Sequence, residues 1–144
     1  MLPFHPRLVH FPIALLVTGV VLVLLHLWRR EPWHGISFER TGFASLVLGW
    51  LTIVPAVITG LIDQNAIAID APARNVSNMH ITAIVVTWIV FGLAIYLRIR
   101  RRQIMDDPRS RWLYVGLLLA GLAGLLVAGE LGGQLTYLFG VGQV

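Results

Sequence analysis

The chain has no cysteine, no lysine and only seven acidic residues among 144. Without thiols there can be no disulfide, thiolate zinc site, iron–sulfur cluster or c-type haem attachment, so any metal or cofactor has to be held by histidine, carboxylate or amide groups. Charge of either sign is scarce, at 12%, against 57% hydrophobic residues and a mean hydropathy of +0.79. A fold of this composition cannot cover its apolar surface with polar groups, and lipid must be the solvent for much of it. The net charge of +4 could suggest nucleic acid, but all eleven basic residues are arginines placed between apolar runs. That placement points to a membrane surface and to no nucleic-acid partner.

The apolar residues form four runs, from about Leu8 to Trp28, Thr41 to Ile62, Asn78 to Leu97 and Trp112 to Leu131. Each is close to the ~20 residues that cross a hydrocarbon core as a helix. None alternates polar with apolar residues, as a membrane barrel strand would. Helices satisfy every backbone group within lipid, so the expected fold is all-α, a single transmembrane four-helix bundle. The loops after the first and third runs hold Arg29, Arg30, Arg40, Arg98, Arg100, Arg101, Arg102, Arg109 and Arg111, whereas the opposite side holds Arg7 and Arg74. The positive-inside rule then puts both termini outside the cytoplasm, N-out and C-out, in the inner membrane. The first run lacks the basic leader and small-residue cleavage site of a signal peptide and is expected to be retained.

Helices associate in lipid through small residues that allow close backbone approach. The fourth run carries Gly116, Ala120, Gly124, Ala128 and Gly132, and the second carries Ser45, Gly49, Ala56 and Gly60, with Pro55 as an expected kink. These two stripes predict that the second and fourth helices pack on each other, or that one of them serves self-association.

Toward the outer end the polar residues converge. His10 heads a face continued by Ala14 and Thr18, Asp63 follows Gly60, His80 opens the third run, and Glu130 and Gln134 flank Gly132. Singly, each is an ordinary interfacial residue. Together they suggest a site, with His10 and His80 as candidate haem or metal ligands and His5, Asp63 and Glu130 as supporting groups. Both histidines are expected near positive helix-dipole ends, which favour the neutral imidazole that ligates metals.

The segment His5-Pro6-Arg7-Leu8-Val9-His10-Phe11-Pro12-Ile13-Ala14-Leu15 closely resembles the opening signature of the bacterial and archaeal membrane proteins grouped as domain of unknown function 2231. Thr59-Gly60, Asp63, His80, Gly132-Gly133-Gln134-Leu135-Thr136-Tyr137 and Gly140-Val141-Gly142 continue the resemblance over nearly the whole chain. The family pattern usually has a histidine where this chain has Phe139. Fusion of some relatives to Rieske-type or cytochrome domains implies a redox setting.

Two functional readings follow. In the first, the protein is a non-catalytic accessory or scaffold subunit of a membrane complex, its outer cluster a polar lock in which Asp63 accepts a hydrogen bond from an imidazole. The alternative is a b-type haem or divalent-metal protein in electron transfer, using His10 and His80. No ionisable residue stands near the middle of a run, as a conduction path would require. No nucleophile accompanies the histidines either, so an enzyme is not expected.

Overall fold

The computed structural model describes all of the chain except residues 1–4, 6–7, 30–31, 33 and 142–144. Pro6, Arg7, Arg30 and Gly142, used above in the motif and the charge count, lie outside the described residues. Four helices run in order: α1 His10–Trp28, α2 Phe38–Gln64, α3 Pro72–Arg100 and α4 Pro108–Tyr137. All four are long and apolar enough to cross a membrane.

The last three exceed their apolar runs because local chemistry sets their ends. Ser37 caps α2 by accepting from the Arg40 N–H at 3.4 Å, and Asp107 caps α4 by accepting from the Ser110 N–H at 3.0 Å. Pro72 and Pro108 occupy the first turns of α3 and α4, where a missing N–H costs nothing. The helix α2 continues through Pro55.

The bundle is built as two tightly packed hairpins, α1 with α2 and α3 with α4. Between hairpins α2 meets α3 to a lesser extent, and α1 meets α4 least. The backbones of α2 and α4 do not approach each other closely among the described residues, which corrects the expectation that their stripes pack together. The α2 stripe faces α1 instead: Gly49 lies under Leu16, and the Ser45 hydroxyl donates to the Leu15 carbonyl at 2.7 Å. On α4, Gly124 lies against Thr87 and Gly132 against His80, both on α3, and Ala128 is buried. Gly116 and Ala120 face outward with the exposed residues, and nothing surrounds Gly116. A small-residue stripe marks the face that packs, but not the neighbour it packs on.

The two hairpins repeat one another. A single constant shift along the chain carries Leu16, Gly19 and Val20 of α1 onto Phe91, Ala94 and Ile95 of α3, all buried. A second constant shift carries Leu46, Gly49, Ile53, Ala56 and Gly60 of α2 onto Leu118, Gly121, Leu125, Ala128 and Gly132 of α4. The contacts repeat as well. A Cβ at Gly49 would meet Leu16 at 2.8 Å, and one at Gly121 would meet the Phe91 ring, the counterpart of Leu16, at 2.8 Å.

The two seams between the hairpins are closed unequally. In the α2–α3 seam, Trp50 and Trp88 stack with ring centres 4.8 Å apart and planes 3° from parallel. Each indole N–H donates to the other residue's carbonyl, at 2.9 and 3.2 Å. The repeat places Leu122 and Ile13 at the equivalent points of the α1–α4 seam, where neither stacking nor hydrogen bonding is available.

Candidate functional site

Two backbone hydrogen bonds lead into α1. The Ile13 N–H donates to the Val9 carbonyl at 3.3 Å, and the Val9 N–H to the His5 carbonyl at 3.2 Å. The buried face of α1 is set by Pro12, Leu16, Gly19, Val20 and Val23. At about 100° per residue, His10 falls roughly opposite that face. His10, Ala14 and Thr18 are accordingly exposed, and they form an outward face of the bundle.

The two histidines brought together are therefore His5 and His80, with ring centres 6.4 Å apart and planes 86° to one another. The repeat relates them. His5 Nδ1 lies 2.9 Å from the Ala56 carbonyl and its ring packs on Gly60. His80 Nδ1 lies 2.8 Å from the Ala128 carbonyl and its ring packs on Gly132. Thr59 adds its hydroxyl oxygen at 3.3 Å from His5 Nδ1, while its own proton goes to the backbone carbonyl of Pro55 or Ala56.

A carbonyl can only accept, so in each neutral ring Nδ1 carries the proton and Nε2 keeps its lone pair. Neither Nε2 has a hydrogen-bond partner among the described residues. Both rings line one cavity of about 360 Å³ between the hairpins, within the usual size range of small-molecule sites. Its walls repeat too: Val9 answers Ile84, Ile53 answers Leu125 and Gly60 answers Gly132. The lining is predominantly apolar.

His80 lies more than two turns inside α3, because that helix starts at Pro72. The helix-dipole argument made for it fails accordingly, since the effect fades beyond the first turn. Asp63 lies half-buried on the cavity wall, and no imidazole donates to it; its side chain has no hydrogen bond among the described residues. Glu130 is exposed and accepts from Gln134 at 3.2 Å, away from the cavity wall. Among the described residues, no third histidine, aspartate or glutamate joins the pair closely enough to complete a three-ligand metal site.

Sequence reasoning gave His5 a supporting part and missed the carbonyls of Ala56 and Ala128. The signal was present as two matched segments, Ala56-Val57-Ile58-Thr59-Gly60 and Ala128-Gly129-Glu130-Leu131-Gly132, each following a histidine in the preceding helical segment. A polar layer beside the cavity was also missed: Gln64 donates to the Asn78 side chain at 2.7 Å. Arg74 donates to the Gln64 and Ile67 carbonyls at 2.8 and 3.2 Å, binding α2 to α3 at this end.

Comparison with curated proteins and with solved structures finds no match. The family pattern described as "Predicted membrane protein (DUF2231)" matches residues 1–144. With four membrane-length apolar helices behind that match, the chain belongs to the DUF2231 family of predicted membrane proteins.

Proposed function

We propose that this membrane protein binds a metal-centred cofactor, with b-type haem fitting best, through His5 and His80, and serves electron transfer. The observation that carries the reading is the matched pair of imidazoles, each with Nδ1 held by a backbone carbonyl and Nε2 left unpartnered on a shared apolar cavity. Metal-ligating histidines nearly always donate their second ring N–H in this manner.

The two rings stand close together on one cavity, with centres 6.4 Å apart. When bound, haem would supply a one-electron couple. His5 and His80 would hold the iron, the two carbonyls fix the ring tautomers, and the apolar walls exclude water. His10, exposed at the rim of the same cavity, is not a ligand in this reading.

The arginine distribution supports an orientation with the histidine end outside the cytoplasm, in the inner membrane. A second reading, the accessory or scaffold subunit, draws on the same imidazole–carbonyl bonds as locks that close each hairpin.

Visible spectra of the detergent-purified protein, oxidised and reduced, together with metal analysis, separate the two. A Soret band lost in His5→Ala or His80→Ala and kept in His10→Ala supports the cofactor reading. A colourless, metal-free preparation that also takes up no added hemin leaves the scaffold.

A further inference from the structure

The exposed residues on the cavity wall are unevenly distributed. His10, Ile13, Gly129 and Tyr137 both line the cavity and lie exposed on the outside of the bundle. All four belong to α1 and α4; every cavity-lining residue of α2 and α3 is buried or half-buried. At Ile13, 39% exposed, the wall of the cavity is also the apolar surface of the bundle. Gly129 contributes no side chain, and a Cβ built there meets nothing within 4 Å.

This is the seam in which the repeat breaks down. The α2–α3 seam is closed by the reciprocal Trp50–Trp88 stack and, nearer the histidines, by Gln64, Asn78 and Arg74. The α1–α4 seam has the fewest contacts of any packed pair. Helices in lipid gain nothing from hiding apolar surface, so a seam without close packing or hydrogen bonds is held weakly.

We infer that the cavity is reached sideways from the bilayer, through the α1–α4 seam, by a membrane-dissolved apolar molecule. The inference rests on the proposed ligand site for the identity of that molecule, a flat metalloporphyrin, but not for the route. The pseudo-symmetric bundle thus has a hinge side, riveted by tryptophans, and an opening side.

The route is tested without the cofactor. Because the chain has no cysteine, Val57→Cys places one thiol on the α2 wall of the cavity. In lipid nanodiscs, an apolar N-aryl maleimide should label this thiol at least tenfold faster than a sulfonated, membrane-excluded one. Adding Ile13→Trp should slow the apolar reagent about tenfold, and so should the smaller change Gly129→Val, chosen because its site has room. Val54→Trp, on the outside of α2 and off the cavity wall, should leave the rate unchanged. Equal labelling by both reagents, or rates indifferent to Ile13→Trp and Gly129→Val, would overturn the lateral route. A hemin titration run alongside keeps the two ideas apart: with no Soret shift but seam-dependent labelling, the ligand assignment fails and the route stands. With hemin bound and labelling indifferent to the seam, the reverse holds.

Discussion

The two ends of the bundle are built on opposite plans. At the histidine end the hairpins part around a cavity whose imidazole Nε2 atoms and Asp63 carboxylate have no hydrogen-bond partner among the described residues. At the arginine end the space between the helices is filled. Ile104 and Met105, from the loop between α3 and α4, are buried and belong to the same core cluster as Ile95 and Tyr114. Glu39 of α2 is ion-paired with Arg98 of α3, whose guanidinium lies 5.6 Å from the Phe43 ring centre and donates to the Arg102 carbonyl at 2.8 Å. Arg101 donates to Ser110 and Arg111 to the Met105 carbonyl. The two ends thus differ along the bundle axis: charged side chains and a buried loop close the arginine end, whereas two imidazoles and Asp63 face a cavity at the other.

The sharpest way to break that contrast is to remove one charge from each end. Arg98→Ala strips the partner from Glu39, whose pair is only 15–18% exposed. The loss should be about 3 kcal/mol, read as a lowered melting temperature in detergent. Asp63→Asn at the histidine end changes a carboxylate that has no hydrogen-bond partner among the described residues, and should change stability by less than about 0.5 kcal/mol. A large loss in Asp63→Asn would restore the carboxylate–imidazole lock expected from the sequence.

The helix interfaces give the next largest effects. Gly121→Ala would put its new methyl 2.8 Å from the fully buried Phe91 ring, a misfit worth about 1–3 kcal/mol. Gly116→Ala, with nothing around it, should be neutral within about 0.5 kcal/mol. Equal effects at the two glycines would contradict the division of the α4 stripe. Trp88→Phe keeps an aromatic ring but removes the N–H that serves the Trp50 carbonyl, and should cost about 1 kcal/mol. Because the tryptophans hold the hinge side, the same variant should leave the arginine-end ion pair intact.

How much of this could be read from the sequence depends on which physical constraint is local. The four helices follow from run length and the need of lipid-embedded backbone to bond itself, and they were legible in full. Their ends were less so, because Pro72 and the Asp107-Pro108 pair start helices in polar sequence that hydropathy discards. The small-residue stripes announced packing faces, yet whether Gly49 meets α1 or α4 is decided by connectivity, since short loops favour hairpins. The histidine end was legible as a region, but the rings that stand together there are those of His5 and His80, where the sequence pointed to His10 and His80. Pro12 lies near the start of α1 and is buried. That single fact fixes the helix rotation and turns His10 outward, but it emerges only once the neighbouring helix is in place.

The smallest expected effect is at the arginine end, outside the membrane-spanning part of the chain. Asp107 accepts hydrogen bonds from the Ser110 side chain and, at 3.0 Å, the Ser110 N–H, which hold its carboxyl below the usual aspartate range. A group with a depressed folded pKa stabilises the fold at every pH above its unfolded value, about 4, and that contribution is lost as pH falls through the folded value. The wild-type melting temperature should therefore decline slightly as pH drops below about 4. Asp107→Asn retains a side-chain oxygen for the cap but cannot titrate, so its curve should lack this component and lie close to wild type at neutral pH. Since Asp107 is fully solvent-exposed, high salt should diminish the difference further. If Asp107→Asn instead shows the same acid-dependent decline as wild type, the titrating group lies elsewhere.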